Sequence, residues 1–192
     1  MHYILKDLLA KNNLKLAVAE SLTAGKLSAL IASNAGISEF YQGGVTSYTC
    51  DIKNSVLGVN KDLLDTDGPY NFDTTHQMCD GVMKLMNADI TVATSGVAGP
   101  GDDGNTKEGT VYISIKYKDK YYDLTYRSTC SSREAIREEA SNMAYAKLEN
   151  VLVDLIMSTI WFSASNPPKF TGEENRFLRR TQKNENKKQE NN

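Results

Sequence analysis

A short polar turn between a buried strand and a helix is the feature that most constrains the fold of this chain. The apolar residues 14–18 are followed directly by Ala19-Glu20-Ser21-Leu22-Thr23-Ala24-Gly25, and residues 26–33 have helical periodicity. A strand that leads straight into a helix is typical of α/β proteins. The hydroxyls at this turn have two alternative uses. Ser21 or Thr23 caps the helix, or Ser21 binds an anion or acts as a nucleophile.

Hydrophobic periodicity predicts that helices and strands alternate along most of the chain. Asn71 or Asp73 is expected to cap one helix, and Ser131 with Glu134 is expected to form a capping box for a last helix near Ser132. This alternation predicts a three-layer α/β/α sandwich whose mixed central sheet includes an antiparallel hairpin. The predicted helices cover 3–11, 23–33, 52–57 and 71–87, the last with Met78, Val82, Leu85 and Met86 inward, and the predicted strands cover 14–19, 45–49 (introduced by Gly43 and Gly44), 90–94, 109–117 and 121–128.

The chain of 192 residues is long enough for one domain with a hydrophobic core and an additional segment. We assign residues 1–165 to the domain. Residues 166–192 are predicted to be a disordered polar tail, because from Gly172 onward only Phe177 and Leu178 are large and apolar. The mixed charges of this tail favour a solvated segment over a nucleic-acid contact.

Composition excludes several functional classes. A net charge of -2 indicates no general preference for nucleic acid or an anionic membrane. Cys50, Cys79 and Cys130 are odd in number and too far apart for a zinc pattern, so we predict reduced thiols in a cytoplasmic protein, with no metal. The most apolar stretch, residues 151–164, contains Asp154 and is too short to span a bilayer.

Two further segments are candidates for a functional site. Tyr48 lies near the end of a predicted strand and Lys53 in the first turns of a helix, so both side chains can reach one crevice at the sheet edge. Taken separately, Tyr48 is an ordinary strand aromatic and Lys53 an ordinary surface lysine. The glycine-rich loop of residues 95–104 follows another strand and can bring N–H groups close to a phosphate, although it is not a P-loop.

Taken together, these segments resemble the carboxy-terminal domain of the CinA competence/damage-inducible family from about residue 8 to residue 155. The resemblance implies a cytoplasmic nicotinamide-nucleotide amidase that hydrolyses the carboxamide of nicotinamide mononucleotide to nicotinate mononucleotide and ammonia. It also implies a homodimer that needs no metal or other cofactor. The matching motifs are Ala19-Glu20-Ser21-x-Thr23-x-Gly25, Gly43-Gly44-Val45-x-x-Tyr48-x-x-x-x-Lys53, Gly96-x-Ala98-Gly99-Pro100-Gly101 and Gly109-Thr110-Val111-Tyr112-Ile113.

The resemblance also implies roles for individual residues. Ser21 is the nucleophile, and Tyr48 and Lys53 are its catalytic partners. Arg137 is expected to bind the phosphate, and Arg133, one turn away, competes for that role. Two other functions stay open: a nucleotide-binding module without turnover, and an amidohydrolase that acts on another small amide. The substrate-binding residues implied by the resemblance are Thr23, Gly25, Gly43, Gly44, Gly96, Gly99 and Arg137.

Several positions depart from the family's usual residues. Ala24 stands where many relatives have glycine, and Tyr70-Asn71 replaces a common Val-Ser pair. Asp102 and Asp103 stand where relatives have glycines, and a carboxylate beside a phosphate pocket repels the ligand unless it faces solvent. Other departures, Leu22 after the serine and Ser95 in place of threonine, leave the catalytic candidates intact.

Overall fold

A mixed sheet of five strands divides the molecule into two helical layers. The structure is a computed structural model that describes residues 5–165, so the predicted tail lies outside the described residues. Its elements are α1 (Leu5–Asn12), β1 (Leu16–Glu20), α2 (Lys26–Ala32), a 3-10 turn (Ile37–Glu39), β2 (Tyr41–Thr46), α3 (Cys50–Leu57), α4 (Lys61–Thr66), α5 (Phe72–Met86), β3 (Ile90–Gly96), β4 (Thr110–Tyr117), β5 (Lys120–Arg127) and α6 (Arg133–Ser165).

The strand order is β2-β1-β3-β4-β5. β1 pairs in parallel with both β2 and β3, whereas β3, β4 and β5 pair antiparallel. β2 and β3 therefore lie on opposite sides of β1. The chain leaves β1 towards one edge of the sheet and later returns to add β3 on the other side. Such a change of direction opens a crevice at the carboxyl ends of the parallel strands, where α/β proteins bind ligands.

The two faces of the sheet have separate cores. Leu16 and Val18 of β1 pack with apolar residues of α1, α2 and α6, while Ala17 and Ala19 face α3, α4 and α5. The period of two along a strand sends these neighbours to opposite faces. Since β1 is buried on both faces, it is apolar without alternation. The predicted three-layer α/β/α sandwich with an antiparallel hairpin is thus confirmed.

Most helix boundaries agree with the sequence prediction. The side chain of Asn71 caps α5 by accepting a hydrogen bond from the Thr74 N–H at 2.8 Å, and Gly58 ends α3 with φ 70°. α4 was not predicted, because its six residues are too few to show a helical period. Leu85 was wrongly placed inward: it is 53% exposed in the last turn of α5.

Capping of α6 also differs from the prediction. Ser132, not Ser131, is the capping residue, because its Oγ accepts a hydrogen bond from the Ala135 N–H at 3.2 Å. The helix begins at Arg133.

The second strand lies earlier in the chain than predicted. β2 contains Gly43 and Gly44 and ends at Thr46, so these glycines do not introduce the strand, and Tyr48 lies beyond it. A glycine pair suggests a turn, but here the missing side chain is a packing requirement. A Cβ atom on Gly44 would lie 2.5 Å from Cγ2 of Val18.

Two further findings bear on the predicted classes. Between residues 5 and 165, no helix combines the length and apolarity needed to cross a membrane. Cys50, Cys79 and Cys130 are all free thiols. Cys79 is buried in the core, Cys50 is exposed, and Cys130 is half-buried.

Candidate active site

A cleft of about 800 Å³ lies at the carboxyl ends of β1, β2 and β3. Ser21 follows β1, Tyr48 follows β2, and the glycine-rich loop follows β3, so the three sequence candidates converge where the topology opens the sheet. Within the described part of the chain, no group of three or more His, Cys, Asp or Glu side chains is arranged to hold a metal ion.

Ser21 begins a turn that separates β1 from α2. Its N–H donates to the carbonyl of Thr94 in β3 at 3.0 Å, and its side chain is 5% exposed. The helix begins only at Lys26, with Gly25 as N-cap and no capping side chain from Ser21 or Thr23. The predicted helix start at residue 23 and the capping alternative for Ser21 are both wrong. The Ser21 hydroxyl therefore does not cap α2.

Glu20 supplies the capping that the sequence analysis assigned to the hydroxyls. Its carboxylate, 1% exposed, accepts hydrogen bonds from the N–H groups of Gly25 at 2.9 Å, Leu27 at 3.1 Å and Ser28 at 2.8 Å. A buried carboxylate without such donors would be strongly destabilising. The signal was present in the sequence, because an acid that ends a buried strand needs donors from the next element.

Lys53 is the side chain that meets Ser21. It is 1% exposed, and its Nζ lies 2.9 Å from Oγ of Ser21 and 2.9 Å from the carbonyl oxygen of Ser47. Burial lowers the pKa of Lys53 to about 8, and the nearby Cys50 opposes part of that shift. The reading of Lys53 as an ordinary surface lysine is wrong.

Tyr48 lies apart from the Ser21–Lys53 pair. Its ring is 52% exposed, and its hydroxyl accepts a hydrogen bond from Nη2 of Arg133. Arg133 also donates through Nη1 to the carbonyl of Gly99 in the glycine-rich loop. Both side chains line the cleft. Of the three predicted catalytic residues, Ser21 and Lys53 are therefore in contact, whereas Tyr48 binds Arg133 elsewhere in the cleft lining.

The two arginines of α6 have different environments. Arg137 donates through Nε to the carbonyl of Leu22 at 3.0 Å and through Nη2 to that of Thr23 at 3.1 Å. It braces the turn that carries Ser21 and is not among the residues lining the cleft. Arg133, one turn earlier, does line it. The predicted phosphate ligand Arg137 thus binds backbone carbonyls of the turn, whereas its competitor Arg133 faces the cleft.

Of the other predicted substrate-binding residues, only Gly96 and Gly99 line the cleft. A Cβ atom on Gly96 would lie 2.2 Å from the carbonyl oxygen of Thr110, so β4 requires this glycine irrespective of any ligand. Thr23 is buried, with its hydroxyl 2.8 Å from that of Thr94. The remaining three, Gly25, Gly43 and Gly44, lie outside the cleft lining.

The acidic residues of the glycine-rich loop have partners. Asp102 accepts hydrogen bonds from Nζ of Lys107 at 2.7 Å and from the Glu108 N–H at 2.9 Å, and these contacts lower its pKa. Asp103 accepts one from the Tyr70 hydroxyl at 2.5 Å. Tyr70 and Asp103 are both departures from the family pattern, and they form one contact across the cleft lining.

The local backbone explains a further departure. Ala24 has φ 46°, and Gly25 follows with φ 92°. Left-handed backbone is unfavourable for alanine and easy for glycine, which is what many relatives have at this position. His76 does not line the cleft, because it is stacked on Tyr121 with ring centroids 3.9 Å apart. The other histidine, His2, lies outside the described residues.

The protein is an α/β sandwich with a five-stranded sheet. It carries a buried serine–lysine pair at the carboxyl ends of its parallel strands. The chain belongs to the CinA C-terminal domain family, whose model matches residues 1–152.

Comparisons with individual proteins agree with this membership. A Bacillus cereus (strain AH187) protein named "Putative competence-damage inducible protein" is 36% identical over 155 residues, which cover 79% of this chain but only 38% of that relative. The chain thus matches well under half the length of this relative. A solved CinA superfamily protein from Klebsiella pneumoniae superposes with a TM-score of 0.74 at 30% identity, covering 78% of this chain and 94% of that one. An Escherichia coli member gives 0.71 at 25% identity, covering 77% and 90%.

Proposed function

We propose that this protein is a nicotinamide-nucleotide amidase, which hydrolyses the carboxamide of nicotinamide mononucleotide to nicotinate mononucleotide and ammonia. The observation that carries the proposal is the 2.9 Å contact between Nζ of Lys53 and Oγ of Ser21 on the floor of the cleft. A serine hydroxyl needs a base to act as a nucleophile, and a buried lysine supplies one when its pKa falls towards neutrality. Family membership supports the same assignment.

In the first half of the proposed reaction, the neutral amine of Lys53 takes the proton of Ser21 while Oγ attacks the carboxamide carbon. The carbonyl oxygen becomes an oxyanion. Within the described structure, the N–H groups of Leu22 and Thr23 have no hydrogen-bond acceptor, and Leu22 lines the cleft. We assign these N–H groups to the oxyanion, because preorganised donors at that atom stabilise the transition state.

The tetrahedral intermediate then collapses. The C–N bond breaks, the ammonium of Lys53 returns its proton to the leaving nitrogen, and ammonia departs. The acyl group stays on Ser21 as an ester. Lys53 then takes a proton from a water molecule, whose oxygen adds to the ester carbon. The bond from that carbon to Oγ breaks, Lys53 returns the proton to Oγ, and the carboxylic acid product is released. Atoms balance as amide plus water giving acid plus ammonia.

Recognition of the nucleotide is assigned to the other side of the cleft. A phosphate carries two negative charges at most, and a guanidinium binds it through paired hydrogen bonds. Arg133 is the arginine that lines the cleft, and the neighbouring loop offers Gly99 and other backbone groups. Asp102 stays compatible with an anion because Lys107 pairs with its carboxylate, and Asp103 because it is exposed to solvent, which screens its charge.

The test is ammonia release by Ser21→Ala. We expect turnover of nicotinamide mononucleotide to fall by several orders of magnitude, while calorimetric binding of the mononucleotide stays close to wild type. Ser33→Ala is the matched control, because this serine lies at the end of α2, outside the cleft lining. Wild-type ammonia release from a folded Ser21→Ala protein would reject the proposal.

The same assay separates the alternative functions. A binding module without turnover would bind the mononucleotide and release no ammonia in the wild type. An amidohydrolase of other specificity would release ammonia faster from nicotinamide riboside or free nicotinamide than from the mononucleotide. The buried Ser21–Lys53 contact favours turnover over binding alone, because a binding module needs no base. The expected homodimer stays a prediction, which light scattering on the purified protein tests.

A further inference from the structure

Arg137 places a positive charge beside the turn of residues 21–25, here called the nucleophile turn, and no step of the proposed reaction uses that charge. Its Nε donates to the carbonyl of Leu22 at 3.0 Å and its Nη2 to that of Thr23 at 3.1 Å. The carboxylate of Glu134 lies 3.3 Å from Nη1, but it is 68% exposed and also pairs with Lys26 at 2.8 Å. Solvent screens such a carboxylate, so the guanidinium keeps a net positive effect on the turn.

The same turn contains the two N–H groups that are assigned to the oxyanion. In the part of the chain that the structure describes, the N–H groups of Leu22 and Thr23 have no acceptor, although Thr23 is 0% exposed. Buried N–H groups are almost always paired, so two open donors in one turn are unusual. The neighbouring N–H groups do have acceptors, which are the carbonyl of Thr94 for Ser21, the carbonyl of Ser21 for Ala24 and the carboxylate of Glu20 for Gly25.

A short path connects Arg137 to the N–H of Thr23. The carbonyl of Leu22, which accepts from Nε, and the N–H of Thr23 belong to one peptide group. Resonance in that planar group couples its oxygen to its nitrogen. A cation bonded to the oxygen draws electron density away from the nitrogen, so the N–H becomes a stronger donor.

A longer path connects Arg137 to the N–H of Leu22. The carbonyl of Thr23, which accepts from Nη2, shares a peptide group with the N–H of Ala24. That N–H donates to the carbonyl of Ser21 at 3.1 Å, and this carbonyl shares a peptide group with the N–H of Leu22. Hydrogen bonds in such a chain strengthen one another, because each bond polarises the next. Both open donors therefore lie at the ends of chains that begin on one guanidinium.

We propose that Arg137 is a positioning residue whose charge polarises both oxyanion donors through the peptide groups of the nucleophile turn. This inference rests on the proposed roles of Ser21 as nucleophile and of the Leu22 and Thr23 N–H groups as its oxyanion site. Arg137 does not touch the substrate. Its charge therefore contributes to the reaction separately from the support that its hydrogen bonds give the turn.

Two substitutions separate the charge from the support. Arg137→Lys keeps the charge, and Arg137→Gln keeps N–H donors on a neutral side chain. Neither reproduces the arginine fork, so both should lose a hydrogen bond and lower the melting temperature. The reactivity of Ser21 should fall roughly tenfold to hundredfold in Arg137→Gln but stay within about fivefold of wild type in Arg137→Lys, since losing a whole oxyanion donor costs about 100- to 1,000-fold.

Diisopropyl fluorophosphate measures this reactivity without an amide substrate. Oγ of Ser21 bonds to phosphorus, fluoride leaves, Lys53 takes the hydroxyl proton, and the phosphoryl oxygen occupies the oxyanion site. Intact-protein mass spectrometry gives the labelling rate, and Ser21→Ala shows that the label is on Ser21. Arg127→Gln is the matched control, because Arg127 donates through Nε to the carbonyl of Glu108 at 3.1 Å and does not line the cleft. It should be labelled at the wild-type rate.

The order of the two variants decides the outcome. Equal losses of labelling rate in Arg137→Lys and Arg137→Gln would overturn the inference, because support of the turn alone gives that result. A wild-type rate in Arg137→Gln would overturn it as well, and so would a wild-type Ser21 that does not react. Labelling that depends on the charge at position 137, in a protein that releases no ammonia from the mononucleotide, would reject only the amidase.

Discussion

Two regions of the cleft are built in different ways. The floor, consisting of Ser21 and Lys53, has exposures of 5% and 1%. The wall, consisting of Tyr48, Tyr70, Asp103 and Arg133, meets solvent, and Tyr48 is 52% exposed. Floor residues are fixed by hydrogen bonds to backbone carbonyls, from the Ser21 N–H to Thr94 and from Nζ of Lys53 to Ser47. Wall residues are held by hydrogen bonds of their side chains. Tyr70 binds Asp103, and Arg133 binds both Tyr48 and the carbonyl of Gly99.

In the proposed function, the buried floor carries the chemistry and the exposed wall binds the substrate. Burial of the floor lowers the pKa of Lys53, which a base needs, and the parallel strands fix the distance to Ser21. An exposed wall leaves a phosphate accessible and lets loops adjust around it. We therefore expect floor substitutions to lower kcat and wall substitutions to raise KM.

The largest effect is expected on the floor. Lys53→Arg keeps the positive charge but removes a titratable amine, so activity should be almost abolished. In the wild type the base must be neutral. Since burial lowers the pKa of Lys53 to about 8, kcat should rise with pH through about 8 and level off above it. Ammonia release between pH 6 and 10 measures both.

Lys61→Arg is the control for this experiment, because Lys61 pairs with Asp65 on the surface at the start of α4. It should leave the profile unchanged. Substantial activity in Lys53→Arg, or a profile with no ascending limb near pH 8, would remove Lys53 from the role of base.

The two arginines of α6 test the boundary between the regions. Arg133→Ala removes a charge-assisted contact of about 1.5 to 3 kcal/mol, so kcat/KM for the mononucleotide should fall roughly 10- to 150-fold, with little change for the riboside. Arg137→Ala should lower kcat for both substrates and reduce the melting temperature, because Arg137 braces Leu22 and Thr23. Equal losses on both substrates for Arg133→Ala would identify Arg133 as structural.

The smallest effect is expected at the contact between two loops of the wall. Tyr70→Phe removes the hydroxyl that binds Asp103, a hydrogen bond worth about 0.5 to 1.5 kcal/mol, so KM should rise roughly two- to tenfold while kcat stays constant. Combining it with Asp103→Asn gives a double-mutant cycle. Fully additive effects would show that the two side chains act independently, and a fall in kcat would assign Tyr70 to the floor instead.

Much of the fold was predictable because local signals and tertiary packing agree. Buried strands such as β1 and β3 read as apolar runs, and Asn71 and Gly58 mark helix ends by their own chemistry. The glycine pair of β2 misled the prediction, since a glycine needed for close packing looks the same in sequence as one needed for a turn. Only the packed structure separates the two uses.

The site was predictable in its residues more than in its contacts. Ser21 and Lys53 were selected by motif, and the structure places them in contact. Spacing alone gives no direction for the Tyr48 hydroxyl, which binds Arg133, or for Arg137, whose guanidinium faces the chain's own carbonyls. Glu20 stands within the serine motif, but its capping of α2 was missed, because a motif does not give the hydrogen-bond partners of its residues.

The carboxylate of Glu20 also determines which way round a ligand can lie. A helix N-terminus next to a cleft ordinarily attracts the anionic end of a substrate. Here Glu20 accepts the N–H groups of Gly25, Leu27 and Ser28, so the positive end of α2 is neutralised by an anion of the protein itself. For the proposed amidase, this favours one orientation of the mononucleotide, with its phosphate directed to α6 and its uncharged amide to Ser21. In that proposal an internal acid orients a substrate that the acid does not contact.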